Sequence, residues 1–382
     1  MSRRSKILLI GTTSDVMNNR FTGQSIMFDG VVSAVEACGN DVKVLDISSR
    51  KGNTSINRIL DYSYILIRLL FLLCTYRVSL VYLVTSQSRR GFYRDYLIIL
   101  FSRLFRIKVV THQYGANYKQ MLNSMSKLEL NLLTKTLDYV SKIIVEGEYM
   151  KSQFSFYVDY ADKVVVIPNG LPTEGKQIGR PKTYDRKTPF TLFYLSNLIY
   201  SKGYFDVLKA VNSLVNEHKM NVNCIFAGQF INSADDVYSG ISNKVDFDNY
   251  ILQHGLSDYV KYFPGLYGDE KAQYFYTSHV FILPTYYINE GQPVSILGAM
   301  AYGCVPVVTK YRHIPMMVNE KNGCFVEPSS PESICKAIIS LIDNTDTYSQ
   351  KSKQAIEEYR TKYTFERFSD NVLGVINKAI NK

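Results

Sequence analysis

The stretch Phe281-Ile282-Leu283-Pro284-Thr285-Tyr286-Tyr287-Ile288-Asn289-Glu290-Gly291-Gln292-Pro293-Val294-Ser295-Ile296-Leu297-Gly298-Ala299-Met300-Ala301-Tyr302-Gly303 decides how this chain is built. Its first residues are an apolar run that stops at a proline, the pattern of a buried strand. A polar turn follows, and from Pro293 the apolar and small residues continue long enough for a helix. Proline suits the first helical turn, where its missing N–H leaves no bond unmade, and Gly303 suits the C-terminal cap. Val305-Pro306-Val307-Val308 then reads as the next strand. Strand, turn, helix and strand in succession are the repeating unit of a parallel sheet covered by helices.

The same alternation runs through the rest of the chain. Lys6–Ile10, Asp41–Ile47, Leu80–Val84, Ile107–Thr111, Ser141–Val145 and Val164–Ile167 read as strands, with a helix over Ser25–Ala37. After Pro168-Asn169-Gly170 the pattern breaks into a polar segment carrying Gly175, Gly179, Pro181, Lys182, Arg186 and Lys187. It resumes with Phe190–Tyr194, Asn223–Phe226, Val260–Phe263, Val280–Leu283 and Val305–Val308. An α/β class follows, and 382 residues suit two domains rather than one core. The expected division is a first domain over 1–170, a linker over 171–188 and a second domain over 189–363.

The chain is 46% hydrophobic and 20% charged, which excludes a disordered or fibrous protein. Its six cysteines form no Cys-x-x-Cys pair and stand near no histidine cluster, so they read as core thiols of a cytoplasmic protein. The apolar run at Ile7–Ile10 is too short for an export signal. Asp246-Phe247-Asp248, within the polar stretch 231–248, resembles a metal-holding triplet, but a surface loop with two acids is the simpler reading and no metal site is expected.

A formal charge of +10 favours anionic partners. Arg58, Arg68 and Arg77 interrupt an apolar stretch from Ile56 to Leu80, and further arginines border Tyr96–Phe101. That mixture resembles interfacial helices more than a reader of nucleic acid, so the expectation is peripheral contact with an anionic membrane surface and no nucleic acid. Two core helices with solvated arginines fit the same residues. The tract 64–74 is broken by Arg68 and falls short of the roughly 20 apolar residues of a membrane span.

The turn before Pro293 is where chemistry is expected. A helix starting there points the unbonded N–H groups of Val294 and Ser295 toward the carboxyl edge of the sheet, where open α/β sheets bind ligands. Gly291 permits close approach of a ligand, and Glu290 supplies a carboxylate for sugar hydroxyls.

The run from Glu290 to Val308 resembles the donor-binding signature of the retaining "glycosyl transferases group 1" family, which has the GT-B architecture. Gly11, Gly23-Gln24-Ser25, Ile167-Pro168-Asn169-Gly170, Leu195-Ser196-Asn197-Leu198-Ile199-Tyr200-Ser201-Lys202-Gly203 and Asn322-Gly323 occur in the family's order. The resemblance implies two Rossmann-like domains facing a central cleft, with the acceptor on the N-terminal side, the nucleotide sugar on the C-terminal side, and a final helix 364–382 completing the first domain.

Residue by residue, the resemblance assigns Lys202 to the donor diphosphate and Glu290 to the donor sugar. The amides of Val294 and Ser295 fall to the phosphates, with Asn197, Gly291, Gln292, Pro293 and Gly298 around them. Gly23, Gln24, His112 and Tyr114 fall on the acceptor side. His112, in Thr111-His112-Gln113-Tyr114-Gly115, either orients the reacting sugar or is a satisfied histidine at a strand end. Relatives carry histidine directly before the glycine, where this chain has Tyr114.

Three departures stand out. Asn197 occupies a position where relatives often carry arginine, Pro293 replaces a frequent glycine, and Gly298 replaces a glutamate that binds ribose. The implied activity is metal-independent transfer from a nucleoside diphosphate sugar to a hydroxyl of a cell-surface glycan or lipid-linked acceptor, with retention. The departures equally fit a catalytically weakened sugar-nucleotide-binding subunit.

Overall fold

The computed structural model describes residues 5–15, 22–48, 55–171, 179–232, 239–241 and 243–381. It divides into two compact units, Met1–Gly170 with Phe365–Lys382, and Leu171–Thr364. Each is built around one parallel sheet of six strands.

In the first unit the strands are β1 (Lys6–Gly11), β2 (Asp41–Asp46), β3 (Leu80–Thr85), β4 (Lys108–Gln113), β5 (Val140–Val145) and β6 (Val164–Val166), ordered β2-β1-β3-β4-β5-β6. Between them run α1 (Gly23–Ala37), α2 (Ser55–Thr75), α3 (Arg89–Leu104), α4 (Tyr118–Asn123), α5 (Lys127–Asp138), α6 (Glu148–Ser152) and α7 (Tyr160–Lys163). Ile7 to Ile10 and Leu80 to Leu83 are fully buried. Covered on both faces, such strands need apolar residues at every position rather than at alternate ones.

The second unit contains β7 (Phe190–Leu195), β8 (Val222–Ala227), β9 (Val260–Phe263), β10 (Val280–Leu283), β11 (Val305–Thr309) and β12 (Cys324–Val326), ordered β12-β11-β10-β7-β8-β9. Its helices are α8 (Tyr204–Asn212), α9 (Lys244–Gln253), α10 (Gly268–Thr277), α11 (Val294–Ala301), α12 (Ile314–Met317), α13 (Pro331–Asp343) and α14 (Thr345–Lys362). The last helix, α15 (Phe365–Asn381), belongs to the first unit, where Phe365 lies against Gly30 of α1.

Four expectations change. Of the stretch read as a linker, residues 172–178 lie outside the described residues, while 179–188 are held by the second unit. Gly179 donates to Ala301 O, the Lys182 amide to Ser352 Oγ, and Arg186 to the carbonyls of Ile342 and Asp343. Cys38 and Cys74 are exposed rather than core thiols, although all six cysteines are free. Helix α11 begins after Pro293, which is its N-cap rather than its first residue, while Gly303, at φ 76°, ends it as the sequence suggests. The Asp-Phe-Asp triplet lies on α9 and not in a loop. There Phe247 is fully buried and Asp248 pairs with Lys244 one turn back.

Among the described residues no helix is long and apolar enough to cross a membrane, and no three His, Cys, Asp or Glu residues are grouped to hold a metal ion.

Candidate functional site

Two loops at the carboxyl edge of the second sheet meet, and a glycine lets them. Gly203 has φ 77°, and a Cβ there would lie 2.7 Å from both Cγ and O of Pro284. Only glycine fits both the backbone angle and the gap. The loop after β7 is thereby pressed onto the loop after β10, and the Tyr286 amide donates to Ser201 O at 2.8 Å. The short turn Tyr200–Lys202 ends this approach with Lys202 facing the second loop.

Lys202 Nζ lies 3.1 Å from Ser196 Oγ, 3.4 Å from Glu290 Oε2 and 5.2 Å from the centroid of the Tyr287 ring. Glu290 Oε2 also accepts from Thr285 Oγ1 at 2.9 Å, and Thr285 Oγ1 accepts from the Tyr287 amide. The side chains of Lys202 and Glu290 are 15% and 8% exposed, so their attraction is little screened by water. An ammonium carries three N–H donors, and two acceptors meet it here among the described residues, which leaves donor capacity for an incoming anion.

The amides of the helix end lie on the same loop. Gln292 and Pro293 are buried, whereas Gly291, Val294 and Ser295 are half-exposed. Pro293 offers no side-chain cap, and the first intrahelical bond runs from Ile296 N to Pro293 O. The N–H groups of Val294 and Ser295 have no acceptor within α11. One fixed cation, one fixed carboxylate and a helix N-terminus therefore occupy one sheet edge, a combination that favours a ligand bearing both phosphate and hydroxyl groups.

Asn197 sits half-buried in the Lys202 loop. Gly298 stands on the helix that follows the Glu290 loop. It is buried in α11, and a Cβ there would lie 3.0 Å from the Phe275 ring and 3.4 Å from Leu171. A side chain at this position would require the Phe275 ring to shift.

In the first unit, His112 and Tyr114, expected on the acceptor side, are both buried and pack against each other. His112 is fully buried on β4, its Nδ1 meets the Tyr82 hydroxyl, and its ring stacks on Tyr114 with centroids 4.0 Å apart. Tyr114 is 5% exposed, and Phe368 of α15 approaches the imidazole. Burial pushes the His112 pKa down to about 3, so the ring is neutral at physiological pH. Its Nε2 is buried with no hydrogen-bond partner among the described residues. Gly23 and Gln24 are exposed in the first turn of α1, behind the Thr22–Ser25 capping box, and residues 16–21 before them lie outside the described residues.

Glu146 is a residue the motifs do not point to. It is 3% exposed, accepts from the Gly115 amide at 2.8 Å and from Asn169 Nδ2 at 2.6 Å, and so ties the Gly115 loop to the Pro168-Asn169-Gly170 motif. The signal available for it is a carboxylate one position past an apolar strand. It explains why asparagine is needed in that motif: an amide can neutralise a buried carboxylate's acceptor without adding charge.

Two parallel six-stranded α/β units define a GT-B protein, the architecture of a large class of glycosyltransferases. Residues 176–360, nearly the whole of the second unit, match the model of the family described as glycosyl transferases group 1. Curated protein sequences give no match. Among solved structures, Anabaena HepE in complex with UDP and glucose is 15% identical with a TM-score of 0.70, covering 98% of this chain and 100% of that one. Sucrose-phosphate synthase from Thermosynechococcus elongatus is 14% identical with a TM-score of 0.74, covering 98% and 99%. A glycosyltransferase from Rickettsia africae is 14% identical with a TM-score of 0.69, covering 99% of each chain.

Proposed function

We propose that this chain moves a sugar from a nucleoside diphosphate sugar to a hydroxyl of a cell-surface glycan or lipid-linked acceptor, with retention at the anomeric carbon and without a metal ion. The observation that carries the reading is the Lys202–Glu290 pair beside the open end of α11. Support comes from the family match over the second unit and from HepE, a protein of the same fold described with UDP, with UDP and glucose, and with UDP-glucose.

In this reading the diphosphate takes the remaining donor capacity of Lys202 and the amides of Val294 and Ser295. Charge grows on the leaving diphosphate as the glycosidic bond breaks, and donors already fixed in place stabilise it without reorganising. Glu290 accepts from the sugar hydroxyls while holding Lys202 in position, and Gln292 and Asn197 border the same pocket. Gly23 and Gln24 stand on the acceptor side. The acceptor hydroxyl is brought to the same face of the sugar that the diphosphate leaves, so the gain is one of positioning.

The packing of Gly298 against Phe275 favours a second reading, a sugar-nucleotide-binding subunit with weak turnover. A panel of nucleotide sugars, followed by release of the nucleoside diphosphate, separates the two. Turnover with any donor supports the transferase, binding without turnover supports the subunit, and neither removes both.

A further inference from the structure

Helix α2 is apolar on both sides, and among the described residues only one side is covered. Asp61, Ile65, Leu69 and Leu73, spaced one turn apart, are buried against the first unit. Leu60, Tyr64, Ile67 and Phe71, at the same helical spacing, are exposed, with Ile67 at 67% and Phe71 at 60%. A soluble helix ordinarily presents polar residues on its outer side, so a second apolar stripe from Leu60 to Phe71 requires an apolar neighbour. Helix α3 packs beside α2, and its end repeats the pattern: Leu104 is 67% exposed and Phe105 41%, between Arg103 and Arg106.

Charge identifies the neighbour. The second unit, residues 171–364, carries 19 basic and 19 acidic residues, so the whole formal charge of +10 lies on the first unit. It is concentrated around α2 and α3. From Ser55 to Lys108 there are nine basic residues and two acidic ones, and both acids, Asp61 and Asp95, are buried. The exposed surface of this region therefore presents apolar side chains among cations such as Arg68, Arg77 and Arg106, with no exposed carboxylate of its own. A second copy of the same chain would set these cations against one another. An anionic lipid surface satisfies both features, taking the apolar stripe into its acyl boundary and the arginines at its headgroups.

We infer that the outer face of α2, continued by the end of α3, is the surface by which this chain lies on an anionic membrane. The inference deepens the lipid-linked arm of the proposed acceptor and rests on that reading for its purpose, but donor turnover in the absence of lipid reports the donor site separately.

The test is sedimentation of the full chain with vesicles of phosphatidylglycerol and phosphatidylcholine, against vesicles of phosphatidylcholine alone. The chain is expected to pellet with the anionic vesicles, less so as salt rises. Ile67→Glu with Phe71→Glu should lower partitioning at least about tenfold. Arg68→Glu with Arg77→Glu should lower it by about fivefold or more for each charge removed. All four positions are exposed, so unchanged thermal melts and unchanged donor hydrolysis without vesicles are expected in both variants. Three results would each overturn the inference: no pelleting with anionic vesicles at low salt, equal pelleting of both double variants, or a wild-type dimer that Ile67→Glu with Phe71→Glu converts to monomer.

Discussion

The ammonium of Lys202 stands 3.4 Å from Oε2 of Glu290, although 88 positions of chain separate them and each arrives on its own loop. Thr285 fixes the carboxylate from below and Ser196 fixes the ammonium from the side. The geometry is therefore complete without a ligand, which is the condition under which electrostatic stabilisation costs no rearrangement during reaction.

Lys202→Ala should lower the transfer rate by about 10²–10³-fold, the usual loss when one preorganised donor to a developing oxyanion is removed. Lys202→Arg should not rescue it fully, because a planar guanidinium cannot occupy the space between Ser196 and Glu290 as a point charge does. Steady-state kinetics with the best donor check both. Wild-type rates in Lys202→Ala would remove the assignment.

Glu290→Gln keeps the size of the side chain and its contact with Thr285 but leaves the half-buried ammonium of Lys202 without its counter-charge. Nucleoside diphosphate binding should hold or tighten as Lys202 gains charge to share with phosphate, while sugar transfer falls. Calorimetry for binding and product assay for transfer separate the two effects.

Gly203→Ala should lower both stability and activity. A left-handed φ costs an alanine about 1–2 kcal/mol, and the Pro284 carbonyl at 2.7 Å from the new methyl forces the two loops apart. A lowered melting temperature together with reduced transfer is expected, whereas an unchanged transfer rate would show that Lys202 does not depend on this contact.

Gly298→Glu is expected to destabilise and not to improve donor affinity. The Phe275 ring must move to admit a Cβ, which costs about 1–3 kcal/mol as overpacking before the burial of a carboxylate is counted. A tighter nucleotide complex with an unchanged melt would mean that the position faces open space.

Acid should unfold the first unit partly through His112. Its folded pKa, about 3, lies below the ordinary value of 6.5, so the unfolded chain binds the extra proton. The resulting stability is fully present above about pH 6.5 and is lost as pH falls toward 3. His279 and His313, each pushed down to about 4 by burial, act in the same direction in the second unit. Chemical unfolding of His112→Gln between pH 7 and pH 4 should show a shallower decline than wild type, by up to about 1.4 kcal/mol per pH unit for one proton.

The fold was readable because buried parallel strands are written as continuous apolar runs: Lys6–Gly11, Leu80–Thr85 and Val280–Leu283 carry almost no alternation that could be mistaken for something else. Strand β12, three residues long, is too short to signal itself apart from the Asn322-Gly323 turn before it. Lys202 and Glu290 were legible through the motifs that hold them. His112 was legible only as two alternatives, since a histidine at a strand end looks the same in sequence whether it meets a ligand or packs in the core; in the fold its Nδ1 meets the Tyr82 hydroxyl. Glu146 was hidden because its partners, Gly115 and Asn169, lie 31 and 23 positions away.

The most direct test of the account is calorimetric titration of UDP, and of other nucleoside diphosphates, into wild type and Lys202→Ala, with a metal chelator present throughout. The account predicts that one nucleoside diphosphate binds the wild type under chelation and that Lys202→Ala weakens it at least about tenfold, the loss of one charge-assisted contact. Failure of every nucleoside diphosphate to bind, or equal affinity in the two proteins, would contradict it.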